Sequence, residues 1–347
     1  MIIIRINLIN LLVKMLNISP ENYTSATIYR NDVKKIFTGS WQLVCPVSRL
    51  AKRGDYYATE ISGLKVFVIK TQYGLRAFRN VCRHRGARLL PEGCGTSATI
   101  RCPYHQWVWG EGGELINVPW WGKDPDFELT DWKLDEISVK VWRGLLFLAV
   151  KPDVNFDLEY ADLLEEIKDD PIETFIWTHE EKLVFNANWK IYTDNFVEGY
   201  HIPGVHPAFH KAIDFDKFET IALNGHVRMT APPKNNLFYK GKWLWMWPNW
   251  TLSFFDGGMN TSRINPIDTN KTELIYNFYF EDISDETKEK RDKIITDNLN
   301  VIREDFEVCI ETHKNYDSGA YKPGPLSPRH EQGVAYFQSR LIESSSK

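Results

Sequence analysis

Hydrophobic and polar positions divide the chain into a strand-rich first part and a mixed second part. From Thr38 to about Lys151, short runs rich in valine, isoleucine and aromatic residues, such as Leu64–Lys70 and Leu145–Val150, are separated by turns that contain glycine. This pattern is typical of β-strands. The segment Lys151-Pro152-Asp153 predicts a domain boundary. Residues 17–38 are polar and predict a partly helical segment ahead of the strands.

The second part mixes helical and strand patterns. Leu158–Lys168 and Asn186–Tyr200 have helical spacing, whereas residues 219–281 alternate as the strands of an antiparallel sheet do. Asp285–Thr312 predicts one long helix, because apolar residues recur every three or four positions. These residues are Ile294, Ile295, Leu299, Ile302, Phe306 and Cys309. The predicted fold is therefore α+β, with an antiparallel β domain at 38–152 and a second domain formed by 1–37 and 153–347.

Composition narrows the classes of protein without changing this picture. The 347 residues exceed the usual size of one domain, and a net charge of −4 gives no sign of a polyanionic partner. Five cysteines are too few, and odd in number, for a disulfide framework. The apolar residues 1–16 are interrupted by Arg5 and Lys14, and they are too short to span a membrane. We expect a true start at Met15 and a cytoplasmic location.

Two short motifs in the first domain predict a metal site. Cys82-Arg83-His84 and Cys102-Pro103-Tyr104-His105 each place one cysteine beside one histidine. Two thiolates and two imidazoles are what a Rieske [2Fe–2S] cluster requires, with the cysteines on one iron and the histidines on the other. Zinc is the competing metal, but classical zinc motifs pair cysteine with cysteine and histidine with histidine.

A second constellation in the other domain predicts a mononuclear iron site. His201 and His206 are five residues apart, so on one helix they would lie about 140° apart. Pro203 and Gly204 are expected to end the helix between them, which would let both imidazoles converge. Two histidines and one carboxylate form the facial triad of non-haem Fe(II) oxygenases. The residues alone leave three candidates for the carboxylate: Asp194, Glu198 and Asp305.

Together these motifs resemble those of Rieske non-haem iron ring-hydroxylating oxygenase alpha subunits, most nearly the choline, carnitine and glycine-betaine group. The resemblance implies a helix-grip-like catalytic domain in which Asp305 completes the iron site. It also implies that Glu198 bridges His201 and His105 of an adjacent chain within a homotrimer. We take Asn195, in the same motif, as a further catalytic candidate. One departure is Gln106, which stands where the family usually has glycine.

The source of electrons follows from what the sequence lacks. No G-x-G-x-x-G fingerprint for a nicotinamide or flavin nucleotide is evident. A separate NAD(P)H-dependent flavin and iron–sulfur reductase is therefore the expected partner, and O2 is the expected oxidant. An electron carrier without oxygenase activity is an alternative of another class, but such a carrier would need only the first domain.

The substrate is indicated by the aromatic segment Trp243–Trp250, which contains four tryptophans. Aromatic ring faces attract quaternary ammonium groups by cation–π interaction. This favours hydroxylation, or N-demethylation, of choline, carnitine or a betaine. The alternative is an aromatic compound, and an aromatic carboxylate would suit a pocket that contains Arg228 or Arg263.

Overall fold

The computed structural model describes residues 17–234 and 240–346, so the expected start at Met15 lies outside the described residues. Two short helices precede the first strand, as the sequence predicts: α1 (Glu21–Thr24) and α2 (Ala26–Asp32). A π-helical segment, Val33–Phe37, continues α2 into the first β region.

The region between residues 42 and 149 is built from strands, as predicted. They are β1 (Gln42–Pro46), β2 (Asp55–Ile61), β3 (Leu64–Thr71), β4 (Gly74–Arg79), β5 (Gly93–Thr96), β6 (Ile100–Arg101), β7 (Val108–Trp109), β8 (Leu115–Asn117), β9 (Glu136–Trp142) and β10 (Leu145–Ala149), with 3-10 turns at Val47–Leu50 and Leu129–Asp131. Seven of them form an antiparallel sheet in the order β1-β10-β9-β4-β3-β2-β5, and β6, β7 and β8 form a smaller sheet.

Two tight hairpins show how the sequence sets this sheet. Ser62-Gly63 joins β2 to β3, and Arg143-Gly144 joins β9 to β10. All four residues have positive φ, at +48°, +83°, +49° and +82° respectively. Two-residue turns of this kind match the twist of the paired strands, and glycine at the second position lowers their cost.

The second part of the chain alternates between helices and one large sheet. Its first helices are α3 (Phe156–Glu159) and α4 (Ala161–Glu166), which divide the predicted helix Leu158–Lys168 at Tyr160. The remaining elements are β11 (Ile176–Phe185), α5 (Trp189–Phe196), α6 (Ile202–Val205), α7 (Pro207–Ala212), β12 (Glu219–Leu223), β13 (His226–Thr230), β14 (Lys242–Met246), β15 (Trp250–Phe255), β16 (Gly258–Asp268), β17 (Lys271–Phe280), α8 (Lys288–Asp317) and α9 (Gln332–Ser346), with 3-10 turns at Ile172–Thr174, Phe215–Lys217 and Asp285–Thr287.

The large sheet has the order β11-β17-β16-β15-β14-β13-β12 and is antiparallel throughout. One face packs with α5, α8 and α9 around a single apolar core. The opposite face packs with β1, β10, α3 and α4. Covering both faces explains why β15 is buried along its whole length.

The long predicted helix is α8, which runs five residues beyond the predicted end at Thr312. Its buried stripe contains Asn298, Ile302, Asp305 and Cys309, at the spacing of one helical face. The α+β class, the antiparallel sheets and the long C-terminal helix are thus confirmed, whereas the domain limits at 38 and 152 stay a prediction. Within residues 17–234 and 240–346, no helix has the length and apolar character needed to cross a membrane.

Candidate metal centres and substrate cavity

The two motifs of the first domain form loops of the same construction. The backbone N–H of Gly86 donates to the Cys82 carbonyl at 3.0 Å, and that of Gln106 donates to the Cys102 carbonyl at 3.1 Å. Both closing residues are left-handed, with φ of +75° for Gly86 and +59° for Gln106. Glycine adopts this conformation readily, whereas a side chain makes it strained. The second loop therefore has the same backbone conformation as the first, although Gln106 is strained there.

The four side chains of these loops form a donor set that fits a Rieske cluster. Cys82 and Cys102 are only 2% and 1% exposed, while His84 and His105 are partly exposed. The two imidazole rings lie 4.5 Å apart between centroids. Their Nδ1 atoms are buried and have no hydrogen-bond partner among the described residues. Buried nitrogens rarely stay unpaired, so these two atoms, beside two buried thiols, fit ligation of a [2Fe–2S] cluster.

Packing around the loops holds these ligands in place. The His84 ring stacks on Trp107, with centroids 4.6 Å apart and planes 4° from parallel. Asn80 accepts a hydrogen bond from the backbone N–H of Leu90 at 2.9 Å and donates to its carbonyl at 2.8 Å, which fixes the chain after the first loop. Burial lowers the pKa of His84, which favours the neutral imidazole that can bind a metal.

In the second domain, the structure brings His201, His206 and Asp305 together. Oδ1 of Asp305 lies 2.8 Å from Nε2 of His206 and 3.5 Å from Nε2 of His201. One ligand atom from each of the three residues lies within 4.8 Å of the others. His206 and Asp305 are buried. This donor set of two imidazoles and one carboxylate fits a mononuclear non-haem iron.

Each of the two histidines has a carboxylate on its other nitrogen. Nδ1 of His201 lies 2.5 Å from Oε1 of Glu198, and Nδ1 of His206 lies 2.7 Å from Oε2 of Glu304. Burial opposes a charge on His206, but the hydrogen bonds and charges of Asp305 and Glu304 outweigh it and raise its pKa. Glu304 stands next to Asp305 in the sequence and is not the expected ligand; the structure agrees, and it gives Glu304 a contact with His206 that the sequence does not reveal.

The local path of the chain differs from the predicted one. The helix ends at Phe196, not at Tyr200, so Glu198 and His201 do not share a helical face. Instead, the Glu198 carboxylate accepts hydrogen bonds from the backbone N–H groups of Tyr200 and His201. Pro203 and Gly204 do not separate the histidines by ending a helix, because they lie within the short α6. His201 is the N-cap of α6, and His206 is its C-cap.

The remaining candidates of this motif, Asn195 and Asp194, are adjacent in α5 but face different neighbours. Nδ2 of Asn195 donates to Oδ1 of Asp305 at 2.8 Å, so Asn195 contacts the candidate metal site. Asp194 does not, because its carboxylate accepts hydrogen bonds from Tyr23 at 2.6 Å and from Gln338 at 3.3 Å. Burial raises the pKa of Asp194 to about 7. Its position excludes Asp194 from the group that surrounds the two histidines.

A cavity adjoins the three clustered residues, between the large sheet and α8. Its lining combines aromatic, aliphatic and neutral polar side chains with two acids. The lining residues are Tyr192, Asn195, Phe196, Glu198, His201, Ile202, His206, Phe209, Phe218, Met229, Trp243, Ser253, Asn260, Tyr276, Asn298, Val301, Ile302 and Asp305. Among the described residues that line it, none is lysine or arginine.

The aromatic segment contributes one tryptophan to the lining of this cavity. Of its four tryptophans, Trp243 lines the cavity, where its ring lies 5.4 Å from that of Phe209. Trp245 shares the face but lies one repeat further along β14, where it packs on Phe337. Trp250 is buried in the core on the opposite face of the sheet. The strand alternation that defines two faces therefore leaves one tryptophan of the segment at the site.

The two arginines considered for an anionic substrate lie elsewhere. Arg228 pairs with Glu166 at 3.5 Å. Arg263 is buried and donates to Oγ1 of Thr59 at 3.1 Å. Neither lines the cavity, so neither supports recognition of a carboxylate there.

Comparison with known proteins adds an independent line of observation. Residues 40–133 match the Rieske [2Fe-2S] domain family. Residues 172–239 and 214–345, which overlap, match the family of the ring hydroxylating alpha subunit (catalytic domain). Choline monooxygenase, chloroplastic, from Beta vulgaris is 25% identical over 93% of this chain and 75% of its own length. The carnitine monooxygenase oxygenase subunit of Escherichia coli (strain K12) is 27% identical over 92% of this chain and 91% of its own.

Solved structures share the fold. A quaternary ammonium Rieske monooxygenase in complex with the substrate L-carnitine has a TM-score of 0.85 at 24% identity, covering 95% of this chain and 96% of the other. A naphthalene 1,2-dioxygenase with indole bound in the active site has a TM-score of 0.77 at 18% identity, covering 96% and 95%. At these identities the similarity shows a common architecture, which both kinds of enzyme use.

Proposed function

Because the chain belongs to the family of Rieske ring-hydroxylating oxygenase alpha subunits, an iron-dependent class of oxidoreductase, we propose that it oxidises a small quaternary ammonium compound. The Rieske domain implies a [2Fe–2S] cluster, and the catalytic domain implies a mononuclear iron. The substrate class is inferred from the lining of the cavity. The described lining residues include aromatic rings and two acids, and none of them is lysine or arginine. The choline and carnitine monooxygenases among the relatives support the same class.

We assign the ligands from the geometry of the two sites. Cys82 and Cys102 would hold one iron of the cluster, and His84 and His105 the other. The support for this is two buried thiols beside two unpaired Nδ1 atoms.

The mononuclear iron would be held by His201, His206 and Asp305, which converge on one point. When bound, the cluster supplies electrons one at a time and the mononuclear iron activates dioxygen.

The side chains of the cavity would bind and orient the substrate. A quaternary ammonium has no N–H group to donate, so ring faces suit it better than hydrogen-bond acceptors do. Phe209, Phe218 and Trp243 lie close together, with ring centroids of 5.4 Å and 6.3 Å between neighbours. Each well-placed ring contributes about 0.5–2 kcal/mol of cation–π attraction.

The proposed reaction balances as a monooxygenation. One oxygen atom of O2 enters a C–H bond of the substrate. The other leaves as water, using two electrons from the reductase and two protons. If the carbon is an N-methyl group, the hydroxymethylammonium product releases formaldehyde, a proton and the tertiary amine. The partners proposed are a separate NAD(P)H-dependent reductase and two further copies of the chain in a homotrimer, with Glu198 bridging His201 and the neighbour's cluster histidine. A cytoplasmic location stays a prediction.

A substrate panel tests the proposal. The purified chain is combined with a surrogate reductase, and substrate-dependent consumption of O2 and NADH is measured with choline, carnitine, betaines and aromatic acids. We expect turnover with a trimethylammonium compound and none with aromatic acids. Turnover with aromatic acids alone would contradict the proposed substrate class. Formaldehyde measurement then distinguishes N-demethylation from hydroxylation elsewhere.

Two controls test the metal assignments separately. A visible absorption spectrum with acid-labile sulfide analysis must show the cluster, because a colourless zinc protein would not. His206→Ala should leave this spectrum intact and abolish turnover. Retained turnover would show that the mononuclear site lies elsewhere.

A further inference from the structure

The cavity has a neutral polar end that the metal site does not use. Ser253 on β15 and Asn260 on β16 lie directly opposite each other in the sheet register, and Trp243 lies opposite Ser253 on the other side. All three therefore belong to one row of side chains facing the cavity. Asn298, two helical turns before Asp305 on α8, closes the same end. Two turns correspond to about 10 Å along the helix axis.

Hydrogen bonds fix the orientation of the two amides. Nδ2 of Asn298 donates to the backbone carbonyl of Ile294 at 2.8 Å, and a carbonyl can only accept. Oδ1 of Asn298 therefore turns towards Asn260, whose Nδ2 donates to it at 3.2 Å. This leaves Oδ1 of Asn260 as an acceptor. It has no side-chain partner among the described residues.

The Ser253 hydroxyl, beside Asn260, also lacks a hydrogen-bond partner among the described residues. Ser253 is 7% exposed and Asn260 is 3% exposed, yet neither the Ser253 hydroxyl nor Oδ1 of Asn260 is hydrogen-bonded within the described parts of the chain. Neither atom is among the enclosed polar atoms of the described residues that lack a partner, so both are open to the cavity. Both side chains line the cavity, so a ligand in the cavity is the partner available to them.

The chemistry of this pair selects among quaternary ammonium compounds. A free acceptor beside a hydroxyl can take a hydrogen bond from an alcohol and return one to it. A carboxylate would instead face the Asn260 oxygen, with no cation among the described lining residues to neutralise it. Burying an unpaired carboxylate is unfavourable.

We propose that the substrate is a quaternary ammonium alcohol. Its cationic group lies against the aromatic rings, and its hydroxyl binds Ser253 and Asn260. The inference rests on the proposed function and narrows it, because carboxylate-bearing betaines become poor substrates. Ser253 and Asn260 are then the residues that determine specificity at the end of the cavity away from the metal.

Binding of matched compounds to the purified holoenzyme tests this by isothermal titration calorimetry. Choline, propyltrimethylammonium and glycine betaine share the trimethylammonium group. They differ in whether the other end is a hydroxyl, a methyl or a carboxylate. Choline should bind about 10- to 100-fold more tightly than propyltrimethylammonium, because loss of the hydroxyl leaves two buried groups unpaired. Glycine betaine should bind no better than propyltrimethylammonium, and KM values in the reconstituted assay should follow the same order.

Variants separate recognition of the hydroxyl from general damage. In Ser253→Ala and Asn260→Ala, the preference for choline over propyltrimethylammonium should fall towards 1, while binding of propyltrimethylammonium stays within about 3-fold of wild type. Thr251→Val is the matched control. It also removes a hydroxyl from β15, but one that is bonded to Ser262 at 2.6 Å and lies outside the cavity. An unchanged cluster spectrum verifies folding.

The outcomes distinguish the two levels of the proposal. Equal binding of choline and propyltrimethylammonium, a preference for glycine betaine, or an undiminished choline preference in both variants overturns the inference. The proposed function survives each of these, because a trimethylammonium compound is still bound and oxidised. If no such compound binds or is oxidised, the proposed function fails and the inference fails with it.

Discussion

At the scale of single residues, the two histidines of the candidate iron site differ in where their supporting carboxylates come from. Glu198 reaches His201 across a short turn, whereas Glu304 reaches His206 from α8. A carboxylate on the outer nitrogen fixes the tautomer of a ligand imidazole, aims its inner nitrogen at the metal and makes it a stronger donor. The adjacent residues Glu304 and Asp305 thus contact His206 from both of its ring nitrogens.

Replacing Glu304 with glutamine should weaken the mononuclear site without disturbing the cluster. Loss of the carboxylate removes a charged acceptor from Nδ1 of His206, so affinity for Fe(II) should fall by about 10- to 100-fold. Iron retention against a chelator, measured per cluster, reports this without an activity assay. Glu307→Gln, at an exposed position on the same helix, is the control. Equal retention in the two variants would show that Glu304 does not support His206.

A second residue-level prediction concerns the strained glutamine of the cluster loop. Gln106→Gly should raise stability by roughly 0.5–1 kcal/mol, because relief of left-handed strain exceeds the extra entropy of glycine in the unfolded chain. The measurement is the loss of visible cluster absorbance on heating. Gln106→Ala keeps a Cβ at φ +59° and should give no gain. Equal midpoints for the glycine and alanine variants would contradict the strain argument.

At the scale of elements, long regular patterns could be predicted from the sequence. The apolar spacing of α8 and the strand pattern of residues 219–281 predicted these elements to within a few residues, because α8 has one buried face and the strands are rich in apolar residues. The segment after Phe196 could not be predicted in this way. There the Glu198 carboxylate accepts hydrogen bonds from backbone N–H groups that would bond to backbone carbonyls if the helix continued. Helical spacing alone does not reveal this competition between side chain and backbone.

The cavity shows a similar limit. Side chains alternate between the two faces of a strand, so Trp243 and Trp245 share one face of β14. The packing of α9 then decides that Trp245 contacts Phe337 and lies outside the cavity. In contrast, Asn298 was detectable, because it is a polar residue on the apolar stripe of α8 and lies seven positions before Asp305. Short motifs therefore point to both candidate metal sites, whereas the substrate contacts depend on how separate elements pack.

Three elements meet at Asp194, which explains the unusual proton affinity of its carboxyl. Burial is the main cause that raises its pKa to about 7, and the nearby charge of Glu331 adds to it. Hydrogen bonds from Tyr23 and Gln338 and the charge of Lys190 act in the opposite direction. The carboxyl joins α1, α5 and α9, so its ionisation affects how these helices hold together.

Asp194→Asn should change the pH dependence of stability. In the unfolded chain this carboxyl has its ordinary pKa near 3.8, and in the folded chain it is about 7. Folding therefore takes up a proton between these values, and the wild-type free energy of unfolding loses this contribution as pH rises through 7. Asparagine does not titrate, so the stability of the variant relative to wild type should increase from pH 5 to pH 8. Chemical denaturation at both pH values measures it.

The exposed Asp169→Asn variant is the control for this measurement. Its stability relative to wild type should stay level across the same pH range. The stability difference between Asp194→Asn and wild type could also stay constant from pH 5 to pH 8. That result would show that Asp194 does not titrate in this range.

At the scale of the whole molecule, the surroundings of both metal sites carry exposed aromatic side chains. Beside the cluster loops, Tyr104 is 57% exposed and Trp121, whose ring lies 6.1 Å from that of His84, is 40% exposed; Tyr200, next to the Glu198 carboxylate, is 58% exposed. Exposed apolar side chains indicate a protein-binding surface only where they form a contiguous patch, and we propose these residues as contacts of such patches. Two different surfaces suit a head-to-tail contact, which forms a ring when the rotation between neighbouring copies closes. This supports the proposed homotrimer, with the cluster of one copy facing Glu198 of the next.

The trimer proposal predicts that two inactive variants restore each other. Cys102→Ser lacks a complete cluster site, and His206→Ala lacks a complete mononuclear site. If electrons pass only between neighbouring copies, mixed rings assembled from equal amounts should recover about one quarter of wild-type turnover per chain. Half of the chains keep the mononuclear site, and half of the neighbours that face them keep the cluster. Either variant alone should be inactive, and size-exclusion chromatography verifies that both assemble. Mixed rings with no activity above that of the separate variants would place electron transfer within one chain.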